Sequence, residues 1–314
     1  MEEIRVGGGI LPLDKPSGPT SHDMVARARK ALGLRRVGHS GTLDPFATGL
    51  LLLCLGPATR LAEYLQGLPK TYLATALLGV STDSLDLDGS VTEQRGVPES
   101  LDTVAVSAAL ASFVGEYGQV PPQFSAKKVG GEAMHRKARR GESVLLPPVA
   151  VTVHDAELVS FDSPEAVFRI TCSAGTYVRS LARDLGDRLG TGAHLVALRR
   201  ERIGALTVSD ALPADRLDDP EAVVDHAITP LESMAHLPTL ELTPAEGRRI
   251  QNGQSLSAED VEAGGAGDMP EGTVVLSLAG RLLAVAEAAD GLLLPRKVFP
   301  QAVPGRPDSE PVQS

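Results

Sequence analysis

Tryptophan is absent from the 314 residues, and aromatic side chains make up only 3% of the chain. A sequence so poor in flat rings lacks the long stacking platform used by general single-strand binders. Two cysteines, Cys54 and Cys172, are too few for a disulfide framework or a thiolate zinc cluster, and each stands in an apolar stretch that reads as a buried thiol. No apolar run approaches the ~18 residues that span a bilayer, and LLLLCLG at 50–56 falls far short. The acidic start MEEIRVGGG does not read as a signal peptide. The expectation is a cytoplasmic protein with no membrane partner and reduced thiols. There is no GxxxxGKS/T phosphate loop, no HExxH and no HxE…PCxxC, and the seven histidines lack ligand spacing. The expected chemistry therefore uses neither a metal nor a cofactor, and no nucleotide cofactor is bound.

What is present suits a globular protein: 42% hydrophobic and 22% charged residues in a chain long enough for one large domain and a small one. The net charge of −10 argues at first against a nucleic-acid partner. Its uneven distribution weakens that objection. Residues 205–314 carry 18 acids against 7 bases, whereas 1–204 are nearly balanced. Within that part, 21–60 hold six bases against two acids, and 121–140 hold six against one. Local basic patches govern phosphate binding more than the total does.

GILPLDKPSG reads as a short strand closed by Pro16 and Gly18, and Thr20 or Ser21 can cap a helix running to about Leu32. LLLLCLG reads as a buried element, and Tyr72 to Val80 as a strand that leads into the acidic turn STDSLDLDG. A helix is expected over 103–113, then a loop and a basic helix in PPQFSAKKVGGEAMHRKARRG. Two strands follow, AVTVHDAELVSFD and EAVFRITCS, and then a helix after Gly175 marked by Val178, Leu181, Ala182, Leu185 and Leu189. Residues 272–299 alternate as short strands joined by Ala-Gly and Asp-Gly turns.

The candidate chemistry centres on RVGHSGTLDPFATG at 36–49. Asp before Pro is a common turn initiator, and local context alone favours that reading of Asp44. The other reading is a carboxylate on a rigid loop, able to act as nucleophile or base. His39 likewise reads from its local context as a polar turn residue. Tyr72 shares a strand face with Ala74, Ala76 and Leu78, which explains it by packing but also leaves room for a stacked ring. Arg179 either decorates its helix or pairs with a carboxylate in a cleft.

GILPLDKPSGPTS, RVGHSGTLDPFATGLL, KTYLATALLGVSTDSLDLDG, CSAGTYVRSLARDLG and GAHLVALRR together resemble, in order and spacing, the bacterial tRNA pseudouridine synthases of the TruB type. The resemblance is dense over about 9–204 and looser to about 300. It implies an isomerase that converts uridine to pseudouridine at position 55 in the T-arm of tRNA, with the base flipped out, the C1′–N1 bond cleaved and a C1′–C5 bond formed. It implies a mixed α/β (α+β) pseudouridine-synthase fold, with a central, largely antiparallel sheet flanked by helices and a small C-terminal β-barrel-like domain of PUA type. The implied division is a catalytic domain over 1–235, a PUA-like RNA-binding domain over 236–300 and a disordered tail over 301–314, in a monomer whose partner is the tRNA T-arm stem-loop.

By the same resemblance Asp44 is the catalytic aspartate, Tyr72 stacks on the target base, and Arg179 pairs with the aspartate. His39 is associated with displacing the nucleotide, and Tyr177 and Leu198 line the uracil pocket. Lys15 and Pro16 fall in an architectural motif. A folded loop must release its uridine before C1′ is reachable, at a cost of a few kcal/mol. A carboxylate beside an arginine is expected to stay ionised. Phosphate contacts are expected from Arg27, Lys30, Arg35 and Arg36, and from Lys127, Lys128, Arg136, Lys137, Arg139 and Arg140. Two rivals remain: a non-catalytic RNA-binding or RNA-folding protein on the same scaffold, and a glycoside hydrolase, which typically needs a second carboxylate.

Overall fold

The computed structural model describes residues 1–123, 146–257, 260–261 and 270–300, with a short pairing of 128–129 against 132–133. The expected basic helix and most of the basic residues of 124–140 lie outside the described residues, as does the tail from 301.

Strands β1 Gly9–Lys15, β2 Val37–His39, β3 Thr48–Leu55 and β4 Lys70–Leu78 open the chain, with helix α1 Ser21–Leu32 between β1 and β2. The ribbon β5 Val80–Thr82 and β6 Val91–Gln94 flanks the acidic turn, and helix α2 Thr103–Ala111 follows. Strands β7 Gly115–Gln119, β8 Val149–Asp162 and β9 Glu165–Cys172 lead to helix α3 Val178–Leu189. Strands β10 Ala193–Ile203, β11 Leu206–Thr207 and β12 Leu212–Pro213 complete a ten-stranded sheet. Its order is β12-β1-β3-β10-β4-β9-β8-β7, with β2 on β3 and β11 on β10. The pairings β12–β1 and β10–β3 are parallel and the others antiparallel.

Strand β3 explains the run LLLLCLG. Leu51, Leu53 and Leu55 join the core under α1, α2 and α3, while Leu50, Leu52 and Cys54 join a second core on the opposite face. A strand covered on both sides reads as continuously apolar rather than alternating. Strand β4 alternates instead, burying Lys70, Tyr72, Ala74, Ala76 and Leu78.

The second core is completed by Val275, Leu282, Val285 and Phe299. These come from a curled five-stranded half-barrel: β13 Thr239–Glu241, β14 Leu256–Ser257, β15 Gly272–Leu278, β16 Arg281–Ala289 and β17 Leu292–Val298, in the order β13-β15-β16-β17-β14. The half-barrel therefore docks on the back of the strand that leads out of the Asp44 loop. Arg60 and Lys297 add to this junction: Arg60 donates to the Val298 carbonyl at 2.6 Å and Lys297 to the Arg60 carbonyl at 2.6 Å.

The strand after Pro69 ends at Leu78 rather than Val80, because Gly79 turns at φ +89° and β5 starts a separate ribbon. The helix over 103 stops at Ala111, two residues short of expectation.

Candidate active site

The loop 40–47 between β2 and β3 is fastened from three sides. The Ser21 hydroxyl, at the start of α1, accepts from the Leu43 N–H at 2.8 Å and donates to the Leu43 carbonyl at 3.2 Å. Lys15, fully buried at the end of β1, donates to the carbonyls of Pro16, Pro19 and Pro45 at 2.9, 2.8 and 3.2 Å. Arg200, 1% exposed on β10, donates to the carbonyls of Leu50, Thr42 and Gly41 at 2.7, 3.3 and 3.2 Å. Cations that donate to carbonyls stiffen a loop without closing off its side chains.

Asp44 does both things its local context allowed. Its carbonyl accepts from the Ala47 N–H at 3.1 Å, forming the turn. Its carboxylate takes no part in that turn and meets Arg179 in a two-pronged pair, Nε to Oδ2 at 2.9 Å and Nη2 to Oδ1 at 3.2 Å. The Asp44 side chain remains 34% exposed, against 7% for Arg179.

The guanidinium is shared. Its Nη1 donates to Asp86 Oδ2 at 3.0 Å and to the Ser84 carbonyl at 2.8 Å, both in the turn between β5 and β6. Asp86 is itself buried, and its other oxygen accepts from the Ser84 hydroxyl and the Asp88 N–H. One cation thus serves two carboxylates. Burial pushes the Asp44 carboxyl above its ordinary range and Asp86 adds to the rise, while Arg179 and Lys15 pull it down only in part. This reverses the direction expected from an arginine neighbour alone, because desolvation and a second anion outweigh a divided pair.

Asp44, Tyr72, Tyr177, Arg179 and Leu198 all line one open cleft of about 400 Å³, a size within the ordinary range for small-molecule sites. Tyr72 lies on β4, Leu198 on β10, and Tyr177 and Arg179 at the start of α3. Burial holds the Tyr72 phenol above its ordinary range, and Arg200 draws it back. His39 does not line the cleft. It ends β2 half-buried, and burial keeps its imidazole below the ordinary histidine range and hence neutral at pH 7. Its Nδ1 is buried with no hydrogen-bond partner among the described residues.

Lys70 and Arg200 also line the cleft, although the sequence motifs did not single them out. Lys70 donates to the carbonyls of Gln66 and Leu68, both at 2.5 Å, and burial lowers its pKa to about 8, as it does for Lys15. The available signal was the period of two: Lys70 shares the face of Tyr72, and Arg200 that of Leu198.

Gly49 serves the contact between two strands. At φ +100°, a Cβ there would stand 2.3 Å from the Arg200 carbonyl oxygen, so the Arg200 backbone can lie this close to position 49 only because it is glycine. The expected phosphate contact Arg27 is already paired with Asp218 at 2.5 Å, whereas Lys30, Arg35 and Arg36 are exposed. Among the described residues, Asp44 is the one carboxylate lining the cleft and no group of His, Cys, Asp or Glu is placed to hold a metal ion. No helix of the described residues is long and apolar enough to cross a membrane.

Two family models match the chain: the N-terminal domain of the TruB family of pseudouridylate synthases over residues 29–178, and the C-terminal domain of tRNA pseudouridylate synthase B over 179–236. A protein of Thermobifida fusca (strain YX) named tRNA pseudouridine synthase B is 44% identical over 301 residues, 93% of this chain and 98% of that one. One of the same name from Burkholderia pseudomallei (strain 668) is 42% identical over 294 residues, 92% of this chain and 96% of that one. Among solved structures, an H/ACA RNP bound to a substrate RNA containing 2′-deoxyuridine matches with a TM-score of 0.74 at 24% identity, over 95% of this chain and 87% of that one. The archaeal box H/ACA sRNP Nop10–Cbf5 complex matches at 0.72 with 24% identity, over 95% and 88%. These two likenesses establish the fold.

Proposed function

The chain belongs to the TruB family of pseudouridylate synthases, and from that premise we propose that it isomerises uridine to pseudouridine at position 55 in the T-arm of tRNA, in the cytoplasm and as a monomer. The observation that carries the reading is Asp44, the one carboxylate lining the cleft among the described residues, partly exposed and held by Arg179 at a wall that also presents Tyr72 and Leu198. A cleft of that size admits one nucleotide and not a duplex, so the uridine enters extruded from its stack.

In this reaction Asp44 acts on the sugar, the C1′–N1 bond breaks, the uracil turns and C5 bonds to C1′. C5 then gives up its hydrogen and N1 ends protonated, so the product is an isomer of the substrate. Tyr72 stacks on the base opposite Leu198, and Tyr177 closes the pocket beside them. Arg179 keeps the carboxylate aimed and fixed. His39, neutral and flat at the edge of the loop, fills the gap left by the extruded base. Lys30, Arg35 and Arg36 are free to meet phosphates. A hydrolase is disfavoured because no second carboxylate lines the cleft among the described residues.

The test is release of tritium from C5-labelled uridine in a T-arm stem-loop. Wild type is expected to release it and Asp44→Asn to release none, with RNA affinity kept within about threefold because the substitution is isosteric and removes no phosphate contact. Tight RNA binding by a wild type that releases no tritium would favour the non-catalytic RNA binder.

A further inference from the structure

Tyr177 and Arg179 sit at the tip of α3, and that tip is held from a strand that contributes nothing else to the cleft. Tyr177 is the residue before the helix proper, and no side chain of its own caps the helix. Gln119 closes β7 and is 1% exposed. Its Oε1 accepts from the Tyr177 N–H at 2.8 Å, and its Nε2 donates to the Tyr177 carbonyl at 3.1 Å. A side-chain amide thus pairs with a backbone peptide as a neighbouring strand would. Nε2 also donates to the Tyr117 hydroxyl at 2.6 Å, so the amide is satisfied on both ends and cannot turn over. Burial holds the Tyr117 phenol far above its ordinary range, so it stays neutral. The next turn of α3 reaches back to the same strand end: Ser180 Oγ and Arg183 Nη2 donate to the Val120 carbonyl at 2.9 and 3.1 Å.

The body of α3 does not depend on this clamp, because Leu181, Ala182 and Leu185 anchor it in the main core. What the clamp fixes is the tip. Resting on the reading of the cleft given above, we infer that Gln119 is a positioning residue for the isomerisation, holding Tyr177 and the root of Arg179 so that the guanidinium meets Asp44 squarely. Its loss strips the half-buried Tyr177 of the side chain that pairs with its N–H and carbonyl and lets the tip shift, and a shift of about 1 Å at a reacting geometry costs on the order of 100-fold in rate.

The experiment is single-turnover tritium release on the T-arm stem-loop at saturating protein, with rates normalised to the folded fraction and RNA affinity measured in parallel. Gln119→Met has the same reach without polar atoms and is expected to react 10- to 100-fold more slowly while binding RNA within about threefold of wild type. Gln119→Glu keeps the acceptor for the Tyr177 N–H and is expected to recover at least threefold over Gln119→Met. Leu185→Ala, a core truncation in the same helix, is expected to lose thermal stability but keep its saturating rate. An active wild type with an equally fast Gln119→Met would overturn this inference alone, as would a rate loss matched by lost RNA binding, a Gln119→Glu no faster than Gln119→Met, or a Leu185→Ala as slow as Gln119→Met. An inert wild type would overturn the parent reading as well.

Discussion

Replacing Arg200 by methionine sets two large terms against each other. Arg200 is 1% exposed, and no carboxylate pairs with it among the described residues. The carbonyls of Leu50, Thr42 and Gly41 answer its charge instead. Removing a buried cation relieves a desolvation cost of several kcal/mol. Removing its donors orphans three carbonyls, each worth about 1–3 kcal/mol when left buried. Gly41 and Thr42 line the open cleft, so water can take over there. Leu50 is fully buried and offers no such route. The orphaned Leu50 carbonyl, the void left by the longer side chain and the slackened loop together outweigh the relief. The expected net loss is about 2–4 kcal/mol, which lowers Tm by roughly 4–12 °C. Because Gly41 and Thr42 lie just before Asp44, the saturating tritium-release rate should also fall at least about tenfold. Arg200→Lys, which keeps a charge but not the fork, should recover stability more than rate. Differential scanning fluorimetry and single-turnover release decide it. A methionine variant within about 2 °C and threefold of wild type would refute the claim that this arginine holds the loop.

Stability should climb between pH 8 and 9 rather than decline. Lys15 and Lys70 have folded pKa values of about 8 against an ordinary 10.5, so above pH 8 the unfolded chain binds more protons and unfolding becomes harder. The thiols of Cys54 and Cys172 act oppositely above pH 9, where the folded chain keeps protons to about 12 and 11. The balance is a gain of about 1 kcal/mol from pH 8 to 9 and little beyond. Urea midpoints across pH 7.5–10 would show it, and a Lys70→Met variant with an unchanged slope would count against it. Gly49→Ala should cost more than about 3 kcal/mol because its Cβ meets backbone, whereas Gly18→Ala should cost about 1–2 from conformation alone. Nothing lies within 4 Å of a Cβ at Gly18, although its φ of +106° is as unusual as that of Gly49 at +100°. Equal urea midpoints for the two variants would show that the contact with Arg200 carries no strain.

Legibility followed how local the physics is. The α1 boundary is written in Thr20 and Asp23, whose reciprocal cap forms as the residues suggest. The all-apolar β3 announces burial on two faces, though not which partner covers each. Strands β6 and β7 carry no strand signal because they do not alternate: Val91–Gln94 is exposed throughout, and Gly115–Gln119 buries only its last residue. Their polar residues are held by pairing with neighbours rather than by an apolar face of their own. In the sequence Asp86 belongs to an acidic turn, and only the ribbon's fold carries it to Arg179, 93 residues away.

The two adjacent arginines on β10 show where pattern stops and register begins. Arg199 points to the surface and pairs with Asp14 at 2.8 Å, while Arg200 is buried in the core. Composition cannot distinguish them, since arginine beside arginine in ALRRERI has no preferred side. The choice is made by parity with Leu198 and by the register that sets Arg200 against Gly49. A slip of one residue would put Arg199 against the loop carbonyls and turn Leu198 out of the cleft together. At Gly49 the Arg200 backbone occupies the space a Cβ would fill, and the pairing of Arg199 with Thr48 beside it completes this register. The motif glycine, the buried arginine and the pocket leucine are therefore one geometric constraint, and the Asp44 loop inherits its rigidity from all three.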